Sequence, residues 1–166
     1  MRQAGVEIPQ TGKLWRDLPP EQWSVSQKIR MAKKKEFEDL ARGGGYRVCV
    51  DMAFEHLMLE KARASTVQQI LYLYGRNRKA KQPSLVTLSG MGDGMTAAIS
   101  RLAGFETWLG FTTESRCYTE VFKKEELVYL TADSPNTLTQ LETEKVYVIG
   151  GIVDRNAHKG LCFKKA

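Results

Sequence analysis

Two aspartates, Asp51 and Asp154, each close a short apolar run, the place where a buried strand would give way to a loop. A carboxylate so placed can accept a proton or orient a water. Two further runs, Leu127–Leu130 and residues 146–149, end in polar or glycine residues. Thr131, Asp133 and Ser134 follow the first, and Gly150, Gly151 and Asp154 follow the second. In open α/β sheets ligands collect at the carboxyl ends of parallel strands, so this spacing reads as a site as well as a core. A bland reading stays open for both carboxylates: Asp51 could cap the next helix, and Asp154 could be a turn residue after the glycines.

Other arrangements carry less chemistry. Gly90-Met-Gly-Asp-Gly94 has the look of a phosphate-cradling loop, but Met95 stands where a dinucleotide fingerprint needs its third glycine, so a loop without a phosphate is expected. Only His56 and His158 exist, and Glu55-His56 is not a zinc-binding H-E-x-x-H pair, so no metal site is expected. Neither a nucleophile elbow nor a P-loop is present. Cys49, Cys117 and Cys162 are odd in number and widely spaced, which suggests reduced thiols in an intracellular protein of the nucleus or cytoplasm.

The elements that must position these residues follow from periodicity. Apolar, β-branched runs separated by helical pieces imply parallel strands buried on both faces. Strands are expected over residues 46–51 and 84–89 as well as the two runs above. A helix is expected over residues 58–79, with Val67, Ile70, Leu71 and Tyr74 as the stripe packed on the sheet. Residues 90–94 form a loop into a helix near residues 96–103, residues 136–141 supply a helical turn or two, and residues 105–118 give no clear signal. Upstream, Pro9, Pro19 and Pro20 mark an irregular arm. Ser24 or Ser26 can cap a helix that runs to about Arg42 and ends at Gly43-Gly44-Gly45. That divides the chain into a basic arm with a helix (residues 1–45) and an α/β domain (residues 46–166).

Charge points to a partner. The net charge is +6, and residues 61–81 hold six basic and no acidic side chains: Lys61, Arg63, Arg76, Arg78, Lys79 and Lys81. Clustered cations neutralise phosphates and release counterions, so RNA is the functional reading and a solvated basic face the bland one. No apolar run approaches the ~20 residues that span a bilayer, and the N-terminus lacks the apolar region of a signal peptide, so no membrane association is expected.

Four blocks, in one order, resemble the tRNA guanine-9 N1-methyltransferases of the SPOUT superfamily. They are Val48-Cys-Val-Asp-Met-Ala-Phe-Glu-His-Leu-Met58, Gln69-Ile-Leu-Tyr-Leu-Tyr-Gly-Arg-Asn-Arg-Lys-Ala80, Leu127-Val-Tyr-Leu-Thr-Ala-Asp-Ser134, and Tyr147-Val-Ile-Gly-Gly-Ile-Val-Asp-Arg-Asn156 followed by His158-Lys-Gly-Leu161. The resemblance covers roughly residues 46–166, with a poor match between Gln82 and Val121. It implies a SPOUT-type parallel sheet flanked by helices, S-adenosyl-L-methionine as cofactor, and methylation of N1 of guanine (adenine in some relatives) at position 9 of tRNA. Asp154 matches the aspartate proposed to assist deprotonation. Leu130, Thr131, Gly150 and Gly151 would line the cofactor pocket. Arg76, Arg78 and Lys79 would hold tRNA phosphates, and Gln69 could reach the substrate. A monomer is implied. The family pattern continues past Leu161 through the strand, loop and helix that complete a trefoil knot. With that portion missing from this chain, the expectation is a fragment or truncated product, inactive by itself, and the competing class is a non-catalytic tRNA-binding or scaffold protein.

Overall fold

The computed structural model describes residues 15–153 and 157–166. Contacts divide it into two compact units, Met1–Lys35 and Glu36–Ala166. In the first, the Trp23 indole donates to Leu18 O at 2.8 Å. Ser24 and Gln27 then open helix α1 (Val25–Arg42) with a reciprocal cap: Gln27 N donates to Ser24 Oγ at 3.3 Å and Ser24 N to Gln27 Oε1 at 2.7 Å.

The second unit is built on a five-stranded sheet ordered β3-β2-β1-β5-β4, with every neighbouring pair parallel. Its strands are β1 (Arg47–Asp51), β2 (Leu85–Ser89), β3 (Phe111–Thr113), β4 (Leu127–Leu130) and β5 (Val146–Gly150). β1 and β5 are neighbours at the middle of the sheet although they are far apart in the chain, and their register puts the carboxyl ends Asp51 and Gly150 side by side on one rim.

Strand alternation sorts the core onto two faces. Val50, Val86 and Leu88 pack with Ile70, Met95 and Ile99 under helices α2 (Glu60–Lys79) and α3 (Asp93–Ser100). Cys49, Val146 and Val148 point the other way, packing with Tyr118 and against Leu127 and Tyr129. Short helices α4 (Tyr118–Val121) and α5 (Leu161–Lys165) belong to that second side, since Tyr118 Oη donates to Lys165 O at 3.2 Å.

Two local expectations need revision, and one unassigned stretch is resolved. The stripe of α2 is turned: Leu71 is 37% exposed, whereas Leu73 packs on the core. Thr66 and Ile70 are the buried residues of α2, and Tyr74 lies at the flank of that face, stacked on Trp108 with ring centroids 3.9 Å apart. Residues 136–141 are not helical. Side-chain oxygens answer the backbone there instead, with Asp133 N donating to Thr131 Oγ1 at 3.3 Å and Asn136 N to Ser134 Oγ at 3.1 Å. The parallel neighbours β4 and β5 are thus joined without a helix. Within residues 105–118, a single turn of 3₁₀ helix at Phe105–Thr107 precedes the edge strand β3.

The Asn77 side chain acts as a backbone surrogate. It donates from Nδ2 to Ser84 O and accepts at Oδ1 from Ser84 N, both at 2.8 Å, tying the end of α2 to the start of β2. Asn77→Ala removes both bonds and is expected to cost about 1–3 kcal/mol in urea denaturation. Leu71→Gln, at a position the sequence pattern assigns to the core, is expected to stay within about 0.5 kcal/mol of the parent.

Candidate functional site

The strand ends that the sequence singles out are brought together. Leu130 is the register partner of Ile149, so Leu130 and Thr131 lie beside Gly150 and Gly151 on one rim of the sheet. A cavity of about 650 Å³ opens at the β4 end, lined by Val128, Leu130, Thr131, Ser134, Asn136 and Leu138 among others. The glycines have a packing reason as well. A Cβ on Gly150 would lie 2.5 Å from Cys162 Sγ, and one on Gly151 would lie 2.6 Å from Met52 Sδ and 2.8 Å from Asp51 O. A side chain at Gly151 would press on the backbone of β1, and one at Gly150 would have to displace the Cys162 thiol.

Asp51 is buried, and its groups are fully engaged. Oδ2 meets Lys165 Nζ at 2.6 Å and accepts from Tyr129 Oη at 3.1 Å. Oδ1 accepts from Ala53 N at 3.2 Å, and the main-chain oxygen accepts from Gly151 N at 2.7 Å. Lys165 Nζ also lies 4.5 Å from the centre of the Phe54 ring. Of the two readings of Asp51, the anchoring one fits: this carboxylate binds β1, β4 and α5 together. Burial, reinforced by the neighbouring Asp51 charge, holds the Tyr129 hydroxyl in its protonated, donating form. Desolvation likewise pushes the Cys49 thiol up from 9.0 to about 11.

A second cavity, about 590 Å³, lies between the start of α2 and the segment leaving β5, with Leu57, Lys61, Ser65, Val153 and His158 in its lining. Asp154 lies outside the described residues, as do Arg155 and Asn156. Along α2, Gln69, Arg76, Arg78 and Lys79 are all exposed. At 3.6 residues per turn, Gln69, Arg76 and Lys79 follow one face, whereas Arg78 falls on the far flank of the exposed side. Arg63 is not part of this free charge, because its Nη1 pairs with Glu55 Oε1 at 3.4 Å.

The same Glu55 explains residues 90–94. A Cβ on Gly92 or Gly94 would strike the Glu55 carboxylate, and Met95 N at the start of α3 donates to Glu55 Oε2 at 3.2 Å. An internal carboxylate thus occupies the anion position that the helix N-terminus offers. Sequence reasoning rejected the dinucleotide reading but missed this partner, which no spacing signals. Among the described residues no cluster of three metal-ligating side chains occurs.

An all-parallel sheet with glycines and a cavity at its carboxyl rim has the architecture of the SPOUT methyltransferases. The family model for tRNA (guanine(9)-N(1))-methyltransferase TRM10/TRM10A matches residues 13–166, and the chain belongs to that family. It is 39% identical over 135 residues to mouse tRNA methyltransferase 10 homolog A, covering 81% of this chain and 41% of the relative. It is also 39% identical over 124 residues to the Schizosaccharomyces pombe tRNA (guanine(9)-N1)-methyltransferase, covering 72% and 41%. The chain thus spans about two fifths of the length of these curated relatives. The crystal structure of full-length spTrm10 in complex with SAH superposes with a TM-score of 0.71 at 35% identity, over 75% of this chain and 69% of that one. A dual-specific Trm10 from Thermococcus kodakaraensis, at 18% identity and a TM-score of 0.55 over 72% and 69% of the two chains, shares the fold.

Two outcomes follow from the buried groups. Lys165→Met leaves Asp51 buried without its cation and is expected to cost about 3 kcal/mol, most of it recovered when Asp51→Asn is added. Chemical denaturation of the two variants checks this. Because the folded Cys49 thiol titrates above its unfolded value, its contribution to stability is complete below pH 9.0 and is lost as pH rises through about 11. Alkylation at about pH 8 should therefore leave Cys49 unmodified until the protein is unfolded.

Proposed function

We propose that this chain serves the transfer of a methyl group from S-adenosylmethionine to N1 of guanine at position 9 of tRNA. The observation that carries the proposal is the joining of Leu130 and Thr131 to Gly150 and Gly151 at adjacent parallel strand ends beside the 650 Å³ cavity. The SAH complex of spTrm10, alike in fold, supports it.

The lining fits such a cofactor. Val128, Leu130 and Leu138 offer apolar walls for a purine ring, while Thr131, Ser134 and Asn136 offer hydroxyl and amide groups for a ribose and an amino-acid tail. Bound there, S-adenosylmethionine supplies an electrophilic methyl on sulfur. Everything else falls to the chain. Guanine N1 carries a proton at neutral pH and is a poor nucleophile until it leaves, so the reaction needs positioning and a proton acceptor. In this proposal Asp154 takes or relays that proton, as its match to the family motif suggests. The cavity beside Ser65 and Val153 is where a purine extruded from the tRNA would be held, with Gln69 one turn further along α2. Exposed and unpaired among the described residues, Arg76, Arg78 and Lys79 are the phosphate contacts. The three free thiols favour the nucleus or cytoplasm as the compartment.

Transfer of tritiated methyl to a position-9 guanosine tRNA transcript tests the proposal, with a guanosine-to-uridine transcript as control. Label on the first transcript alone supports it. Tight tRNA binding with no label over long incubation leaves a tRNA-binding protein of this family instead. Replacing Arg76, Arg78 and Lys79 together with Ala is expected to weaken tRNA binding and to lower the salt slope by ~0.9 for each phosphate that is no longer neutralised. An unchanged slope in that variant removes α2 from the interface.

A further inference from the structure

We infer that Tyr72 is an RNA-stacking residue, placed on α2 to hold the nucleobase next to the one that enters the cavity beside Ser65. The inference rests on the tRNA reading above and adds an interaction that charge does not supply. Tyr72 is 60% exposed on a well-formed helix. Among the described residues its ring makes no aromatic contact, unlike that of Tyr74 two positions on. The helix gains nothing from it, because a tyrosine at an exposed position is a weaker helix former than the glutamines and lysines nearby. A single exposed aromatic is ordinary on a protein surface; its company is what matters here.

Ser65, Gln69, Tyr72, Arg76 and Lys79 are spaced i, i+4, i+7, i+11 and i+14, which is one continuous face of α2. Ser65 lines the 590 Å³ cavity, and Arg76 and Lys79 lie at the other end of the face with no ion-pair partner among the described residues. At 1.5 Å per residue, Tyr72 is displaced roughly 10 Å along the axis from Ser65 and about 6 Å from Arg76. Those steps are of the size of one or two nucleotides in an unstacked strand. A chain of RNA following the face would set one base in the cavity, the next against the Tyr72 ring, and its phosphates on Arg76 and Lys79. Lys61, Arg76 and Lys79 share this face, and no acidic side chain occurs over residues 61–81, which favours a polyanion over a protein partner. Aromatic rings set beside cations hold single-stranded nucleic acid by base stacking without base-specific readout.

The two kinds of interaction separate in salt. Affinities of the tRNA transcript for the parent, Tyr72→Ala, Tyr72→Phe and Arg76→Ala chains are measured at several potassium chloride concentrations. Tyr72→Ala is expected to bind roughly tenfold more weakly with the parental salt slope, and Tyr72→Phe to bind like the parent. Arg76→Ala is expected to lower the slope by about one. Parental affinity in Tyr72→Ala, or equal weakening in Tyr72→Phe, overturns stacking while leaving the tRNA reading intact if Arg76→Ala still changes the slope. A parent chain that does not bind the transcript overturns both. The thermal midpoint of Tyr72→Ala, expected to match the parent's at this exposed position, separates weakened stacking from a damaged fold.

Discussion

A single buried carboxylate ties this fold together. Asp51 ends the central strand of the sheet, and each of its oxygens reaches a different part of the chain. A charge removed from water is costly unless it is paired and hydrogen-bonded, so Lys165, Tyr129 and the Ala53 amide must stay in place together. Through them the end of β1 fixes β4 and α5, and through its main-chain oxygen it fixes Gly151. The rim that carries the candidate cofactor site is therefore held from below by electrostatics, and from the α2 side by the aliphatic core around Leu88, Met95 and Ile99.

The division of labour between the carboxylates and the glycines follows from that arrangement. Asp51 looks like chemistry in the sequence and Glu55 does not, yet both are committed to protein partners: Glu55 to Arg63 and the start of α3, Asp51 to Lys165 and Tyr129. Filling the anion position at α3 with Glu55 closes one glycine loop to an outside phosphate. The other glycine pair, at the end of β5, lies beside a strand whose outgoing connection has no helix over it. Cavities of about 650 Å³ open at both places, but the one beside residues 90–94 has the paired Glu55 and Arg63 in its lining, whereas the one at the β4 end is lined by Thr131, Ser134 and Asn136 together with apolar side chains.

Much of this was legible before the structure. β-branched runs located β1, β2, β4 and β5, and the Gly-rich, acid-free and capping segments located α1, α2 and the loops, because burial on both faces and helix capping leave direct marks on residue choice. Strand β3 escaped notice because it is three residues long and two of them are exposed, so neither a hydrophobic run nor an alternation could form. Residues 136–141 misled for a different reason: Thr131 and Ser134 satisfy the backbone through their hydroxyls, a competition that helix propensity does not weigh. Leu71 was placed in the core and Leu73 was not, because the buried face of α2 centres on Thr66 and Ile70, a turn of the stripe that apolar spacing alone does not fix. The Asp51–Lys165 pair was invisible, since charge pairs distant in the chain have no periodicity to betray them.

If the cofactor site is formed by the ends of β4 and β5, rather than by the glycine loop after β2, its ligand must perturb those strand ends first. Backbone amide spectra of the isotopically labelled protein, recorded through a titration with S-adenosylhomocysteine, read this out residue by residue. Shifts are expected to concentrate at Leu130, Thr131, Gly150 and Gly151 and to leave residues 90–94 unmoved. Shifts confined to residues 90–94, with the β4 and β5 ends silent, would place the site on the wrong side of the sheet and overturn the assignment.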